Sequence, residues 1–471
     1  MTSPLKTSLR QASLAALLAC ASASVLAAAP QAAVTPGPAA PGYGDRYDID
    51  HLADHGFIER EFIISGVARK FKGSGTLGAD GQWNATVVSG NTPYNTLMIV
   101  RRPTDPAKFN GIVIVEWLNV STGYPLDVDW GMAREAILRE GYAYVGVNVQ
   151  KVGIQGIQKL TAYGDRYAQA SIPDDDISYD ILSQAGQALR DQSALVLGGL
   201  KPLKLIASGH SQSAMRLVTY ANAIQPLDQV FDGIFIHGRG NTGVKMASGD
   251  NLPSVAALRA DSKVPIFLLQ AEMDVATFGT KTSKQIDTDR VRHWEVAGSA
   301  HADQYLLDNI ASVSGREVGW TPPVCSSPYN AMPFYETEIA AFDHLKNWML
   351  NGTPPPVAPR LQRDWLGGIK KDANGNALGG LRLPEIDVPI AKYGHANFTT
   401  GSLAFLDLFA CVAGGNTNYF KADKLKALYP THADYVGKYK AAADAALAKG
   451  YIRPVEYVNA LKRAQAAQVP Q

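Results

Sequence analysis

The run Gly111-Ile112-Val113-Ile114-Val115 has no side chain that seeks water, and it recurs in kind along the chain. Tyr142 to Val149, Lys204 to Ala207, Gly233 to Ile236, Val264 to Leu269 and Arg292 to Val296 read as further short buried strands. A strand with one wet face alternates in polarity, whereas a strand covered on both faces has no reason to. Stretches of helical spacing separate these runs. Asp129 to Glu140 sets Met132, Ala133, Ala136 and Ile137 on one face and stops at Gly141. Asp176 is expected to cap an amphipathic helix through Leu197, with Gly198 and Gly199 ending it. Ala214 to Ile224 and Phe334 to Met349 are helical in the same way. Strands alternating with helices imply βαβ units and a parallel sheet with right-handed crossovers. Upstream, Phe57 to Leu77 and Gln82 to Arg102 alternate and are separated by turn residues, which predicts antiparallel strands at the sheet edge.

With 44 basic and 43 acidic residues in 471, the chain has neither a basic block nor an acidic tail, which argues against a nucleic-acid partner. Residues 1–29 read as an export signal: Lys6 and Arg10 precede the apolar run Ala12 to Ala29, which is too short and Ala-rich for a good membrane span and ends in Ala-x-Ala steps. Leu17-Leu18-Ala19-Cys20 also resembles a weak lipobox, so a lipid anchor on Cys20 is the alternative to a free periplasmic or extracellular chain. Residues 30–44, rich in Pro, Ala and Gly, are expected to be a flexible linker. Residues 45–471 then form one domain with insertions at about 151–175, 238–262 and 302–332 and a C-terminal extension over about 350–471. No transmembrane span is expected in the mature chain, and the oligomeric state is not readable. Cys325 and Cys411 remain after signal removal; an exported chain favours a disulfide between them over two buried thiols.

Those three insertions follow the C-terminal ends of strands, the edge at which open α/β sheets bind ligands, so they are expected to cap a site there. They carry Trp320, Tyr329 and Tyr167, candidates to receive an apolar or aromatic group.

Gly209-His210-Ser211-Gln212-Ser213 lies between a buried strand and a helix. A serine hydroxyl is a weak nucleophile and must be held where a base can reach it. A strained strand-turn-helix elbow does this, and it needs small residues two positions to either side. Gly209 fits; Ser213 replaces the usual second glycine but is still small. The elbow implies an acid and a histidine later in the chain, in that order. Asp274 follows the Val264-to-Gln270 strand and is the candidate acid, with Glu272 as the alternative. His301 follows Arg292 to Val296 through small residues and is the candidate base. The oxyanion donors expected are the backbone N–H of Gln212 and that of Trp117 or Leu118. No glycine-rich lipase-type loop is present there. Asn119 is expected to brace that loop, although Asn119-Val120-Ser121 also matches a glycosylation triplet; His210 and His237 are expected to line the pocket. His51 and His55 lack a third ligand nearby, and Asp174-Asp175-Asp176 sits where a helix start needs acidic caps, so no metal and no cofactor are expected.

With these residues placed, the chain resembles a family of largely exported bacterial α/β-hydrolase-domain proteins. The resemblance is carried by Arg101-Arg102-Pro103, Phe109-Asn110-Gly111, Val115-Glu116-Trp117-Leu118-Asn119-Val120-Ser121, Gly209 to Ala214, Trp294-Glu295-Val296-Ala297-Gly298, Ala300-His301-Ala302-Asp303 and Leu381-Arg382-Leu383-Pro384. It implies an α/β-hydrolase fold, a mostly parallel sheet flanked by helices with cap insertions, and the Ser, acid and His roles given above. It implies no particular substrate.

The function expected is hydrolysis of a small-molecule carboxylic ester through an acyl-enzyme. An acyltransferase or lactonase would use the same residues, and a non-catalytic binding protein on this scaffold is the alternative from another class. Dehalogenases and epoxide hydrolases place Asp at the elbow, so Ser211 argues against both.

Overall fold

The computed structural model describes residues 31–38, 42–43, 51–279, 285–312, 318–401 and 404–469. The expected export signal and most of the expected linker lie outside these residues. Part of that linker, however, is ordered as a strand: Ala33–Pro36 (β1) pairs antiparallel with Phe57–Ser74 (β2). Val34 and Ala32 are buried there, so the segment gains both ladder hydrogen bonds and apolar contact, which composition alone did not signal.

β2 forms a long hairpin with Asn84–Pro103 (β3), and β3 joins the main sheet through an antiparallel pairing. The parallel strands are Ile112–Trp117 (β4), Ala143–Val147 (β5), Lys204–His210 (β6), Gly233–His237 (β7), Ile266–Ala271 (β8) and Val291–Val296 (β9). The nine strands are ordered β1-β2-β3-β5-β4-β6-β7-β8-β9, an α/β-hydrolase arrangement of a mostly parallel sheet flanked by helices. Side chains alternate across a strand. Val113, Val115 and Trp117 of β4 therefore enter the hydrophobic core on one face of the sheet, while Ile112 and Ile114 enter that on the other. Both cores are extensive, which is why β4 reads as unbroken apolar sequence.

The helices fall close to their expected places, at Val128–Glu140, Ser178–Asp191, Gln212–Thr219 and Phe334–Asn351. The start of the second helical stretch differs from expectation. Asp174, not Asp176, is the cap: its side chain accepts from the Asp176 N–H and opens a 3₁₀ turn, Asp175–Ile177, ahead of the helix. Asp174 also pairs with Lys70, and Asp175 with Arg216, so the acidic run is neutralised locally. The helix ends at Asp191 and a separate short one covers Ser193–Val196.

Beyond Asn351 the chain returns to the site. Ala391–Gly394 (β10) and Asn416–Tyr419 (β11) form a two-stranded sheet, and the helix Phe405–Gly414 lies between them in sequence. Helices His432–Ala448 and Pro454–Ala466 pack through Tyr435, Tyr439, Ala460 and Ala464. Cys325 and Cys411 are bridged, with Cα atoms 5.7 Å apart, tying the 302–332 insertion to the 405–414 helix. The bridge closes a span of 86 residues. Closing so long a loop restricts the unfolded chain, so Cys411→Ser should lower stability by about 2–4 kcal/mol. Denaturant melts of oxidised, reduced and Cys411→Ser protein test this; coincident melts would show that the bridge carries no stability.

Candidate active site

Ser211 joins the end of β6 to the helix Gln212–Thr219 with φ 60° and ψ −117°, a conformation that L-residues avoid. The surroundings hold it there. Its N–H donates to the His237 carbonyl on the neighbouring strand at 3.0 Å, and its own carbonyl accepts from Met215 N–H at 3.1 Å. A Cβ on Gly209 would stand 3.1 Å from both Ser213 Cβ and Leu217 Cδ1. The turn thus closes on the small Ser213, and a larger residue at either position would push it open.

The His301 ring bridges serine and acid. His301 Nε2 is 2.9 Å from Ser211 Oγ, and Nδ1 is 2.6 Å from Asp274 Oδ1. Asp274 sits in a short helix, Glu272–Ala276, and its Oδ2 accepts the Ala271 N–H at 2.6 Å, which fixes the carboxylate plane. Gly238 has φ 65°, and a Cβ there would come within 2.7 Å of His210 and 3.0 Å of His301, so only glycine leaves room for both rings. Phe278 meets the His301 ring edge-on at 4.7 Å. An arrangement of this kind can take a proton from Ser211 Oγ onto His301 while Asp274 stabilises the imidazolium.

Glu272, the alternative acid, does not reach His301. One carboxylate oxygen accepts the Gly298 N–H at 2.8 Å; the other meets Lys371 Nζ and lies 3.2 Å from His395 Nδ1. Burial pushes this carboxyl up, but His395 and Lys371 outweigh burial and hold it below its ordinary value. It secures the turn that leads to His301.

The expected oxyanion loop also needs correction. The Leu118 N–H is spent on the Val147 carbonyl at 3.2 Å, and Trp117 is buried, with Nε1 donating to Gln150 Oε1 at 2.9 Å. Neither residue lines the space beside Ser211, which is instead bordered by Ser121, Thr122 and Asn119. Thr122 Oγ1 is buried there and has no hydrogen-bond partner among the described residues. Gln212 opens its helix, so its N–H has no acceptor within that helix. Asn119 is buried, and its side chain is fully engaged: Nδ2 donates to the His210 carbonyl at 2.9 Å and Oδ1 accepts the Ser121 N–H at 2.8 Å. It therefore clamps the residue before Ser211 to the loop after β4.

His210 stacks between His237 and His301, with ring centroids 4.7 and 4.4 Å away. Burial and the two neighbouring rings hold His210 well below the ordinary histidine range, so it stays neutral. His237, expected in the pocket, is buried behind His210 and lines neither recess at Ser211; its Nε2 turns to Asp129 Oδ1 at 2.5 Å. Glu338 approaches the other ring nitrogen at 3.5 Å. Burial, reinforced by Asp129, pushes both Glu338 and Glu116 well above the carboxylate range. Asp129, His237 and Glu338 are the one group among the described residues close enough to share an ion; His51 and His55 join none.

Two recesses meet at Ser211. The first, about 600 Å³ and partly open to solvent, is lined by Leu126, Leu306, Leu307, Ile310, Trp320 and Phe409, among others. The second, wider at about 1000 Å³, is lined by Met215, Asn241, Phe278, Phe405 and Phe409. The insertions 238–262 and 302–332 contribute to the walls, but 151–175 does not. Tyr167 of that insertion instead donates to Glu61 at 2.6 Å and packs into the core near β2. Tyr329 likewise donates to the Pro323 carbonyl and lines neither recess. The 405–414 helix closes the site, a role that nothing local in its sequence announces.

Asn119→Ala would strand the His210 carbonyl and the Ser121 N–H, at a cost of about 1–3 kcal/mol. It should also slow fluorophosphonate labelling of Ser211. Wild-type melts and labelling rates would show that the clamp is unimportant. Asp303 Oδ1 accepts the Leu306 N–H at 2.9 Å and opens the wall helix Gln304–Ser312; burial pushes its carboxyl up to about 7. The unfolded carboxyl ionises near about pH 4. Between these values the folded chain binds more protons, so this group's contribution to stability falls as pH rises from about 4 to 7. Asp303→Asn keeps an acceptor and cannot ionise, so it should flatten the slope of Tm against pH over that window. An unchanged slope would count against this account.

Residues 25–462 match the family described as alpha/beta hydrolase domain. No curated protein matches the chain. Among solved structures, it is similar to a putative dienelactone hydrolase from Klebsiella pneumoniae, at 12% identity over 50% of this chain and 85% of that one, TM-score 0.26. An alpha-beta serine hydrolase homologue from Coxiella burnetii gives 11% identity over 48% and 88%, TM-score 0.30. An α/β serine hydrolase without lid from Xanthomonas campestris gives 15% over 55% and 96%, TM-score 0.28. Likenesses this thin carry no argument about activity, and the assignment rests on the family match across most of the sequence. The chain belongs to the alpha/beta hydrolase domain family.

Proposed function

We propose that this chain is a serine-dependent carboxylic ester hydrolase acting on a small-molecule ester. The observation that carries the reading is the unbroken line from Asp274 through His301 to Ser211, ending on a serine held at positive φ between two recesses. Ser211 Oγ attacks the acyl carbon as its proton passes to His301 Nε2, and the carbonyl oxygen becomes an oxyanion facing the Gln212 N–H. The bond to the alcohol oxygen then breaks, and that oxygen takes the proton from His301. A water, deprotonated by His301, attacks the acyl-serine; the acyl–Oγ bond then breaks, Ser211 Oγ takes that proton back from His301, and the acid leaves. Asp274 holds the imidazole tautomer throughout without taking the proton. No step calls for a cofactor. An acyltransferase would replace the water with a second alcohol, and a lactonase would keep both products in one molecule.

We place the mature chain outside the cytoplasm. The Cys325–Cys411 bridge supports that reading, since disulfides persist in oxidising compartments. No described helix is long and apolar enough to cross a membrane. Attachment through Cys20 is the alternative to a free chain.

A fluorophosphonate should label the protein, and Ser211→Ala should abolish labelling and lower kcat for p-nitrophenyl esters by about 10⁴–10⁶-fold. Labelling that survives Ser211→Ala would overturn the assignment.

A further inference from the structure

Neither recess at Ser211 is lined by an Asp, Glu, Lys or Arg among the described residues. The polar groups present are neutral and few: Ser121, Thr122, Asn119, Gln212 and Asn241, besides the serine and the two histidines. A charged limb on a substrate would lose its hydration there and meet no counter-charge among the described residues, whereas an alkyl or aryl limb would be covered by leucine, isoleucine and aromatic side chains.

The apolar character does not stop at the cavity wall. The 405–414 helix turns Leu406, Phe409, Ala410 and Ala413 into the first recess and Phe405 and Phe409 into the second. Phe405, 73% exposed, stands open on the second recess, Leu408 away from the recesses is 39% exposed, and Asp407 is the only charged residue in the helix's ten. Cys411 of this helix is bonded to Cys325, beside Val324, which is 78% exposed. The Val324 strip in turn bonds to the segment carrying Phe398, 70% exposed, through Ser326 N–H to the Phe398 carbonyl and Thr400 N–H to the Val324 carbonyl. The disulfide and these hydrogen bonds thus hold Val324 and Phe398 beside the helix that lines both recesses. A substrate arriving singly from water needs only the walls. Large side chains kept on the rim, where folding gains nothing from them, mark a surface that meets an apolar partner.

Resting on the ester-hydrolase reading above, we propose that the substrate is a neutral, water-insoluble ester taken from an aggregated phase, with the 405–414 helix and the Phe398 and Val324 rim seated on that phase. The helix that lines both recesses also carries and is tied to the exposed rim, and this selects the occupant: a phase seated on the rim would present an ester limb to the apolar walls beside Ser211.

The test uses an emulsion of a neutral triacylglycerol with the full-length chain carrying Ser211→Ala, so that partitioning is read without turnover. The protein should float with the droplets, and adding Phe398→Ser and Leu408→Ser should reduce the bound fraction at least tenfold. In the Ser211 background, the same two rim substitutions should lower hydrolysis of the emulsified ester at least tenfold, while fluorophosphonate labelling and turnover of a dissolved short-chain ester stay as in the parent. Melting temperatures alongside confirm that the rim variants fold. Equal partitioning and equal emulsion turnover in parent and rim variants would overturn the proposal. So would a dimer in size-exclusion chromatography that the rim substitutions dissolve, since the patch would then cover a second copy. Absence of any serine labelling would instead remove the ester-hydrolase reading, and the flotation result would stand apart from it.

Discussion

The backbone of Ser211 is held at positive φ, where an ordinary L-residue costs about 1–3 kcal/mol, and the rest of the site is arranged around keeping it there. The strain is local, but its restraints are not. Gly209 and Ser213 let the turn close, the His237 carbonyl anchors the Ser211 N–H from β7, and Asn119 pulls the His210 carbonyl towards the loop after β4. Three adjacent parallel strands therefore meet at one peptide. A parallel sheet suits this purpose because all its strands end at the same edge.

Beneath the elbow the charge is managed by desolvation. In the proposed reaction His301 becomes a cation when Ser211 loses its proton, and its ring lies against that of His210, which burial holds well below the ordinary histidine range. A second cation 4.4 Å away would oppose the first. Further in, burial and the neighbouring Asp129 push Glu338 and Glu116 well above the carboxylate range, which opposes a build-up of negative charge beneath the histidines. Glu272 shows the opposite solution: it lies close to Asp274 in sequence, but Lys371 and His395 from the late part of the chain hold it ionised and away from His301.

The cover of the site comes from far along the chain. The wall helix Gln304–Ser312, Trp320 and the helix Phe405–Gly414 form its apolar lining, and the Cys325–Cys411 bridge binds two of these segments together. The 151–175 insertion, which leaves the same sheet edge, folds instead against β2 through Tyr167 and Glu61. Its length was a sound reason to expect a lid, but its aromatic residue found a carboxylate and a core position on the other side.

The sequence by itself pointed to the parallel sheet, through apolar runs that two-sided burial accommodates, and to the order of Ser211, a later acid at Asp274 or Glu272, and His301, through the backbone demands of the elbow and the small residues before the histidine. Those signals are local, within a few residues of the group concerned. It also favoured the Cys325–Cys411 pair once the first cysteine was set aside with the signal segment. Only the tertiary structure set Asp274 rather than Glu272 against His301, kept Leu118 and Trp117 out of the wall of the site, turned His237 inward to Asp129 and brought the 405–414 helix over Ser211. Each of these depends on which partner a side chain or N–H meets across tens or hundreds of residues, and neither spacing nor polarity within a segment records that. The β1 strand was lost to view for the same reason: Ala33–Pro36 has the composition of a linker and becomes a strand because β2 offers it an edge.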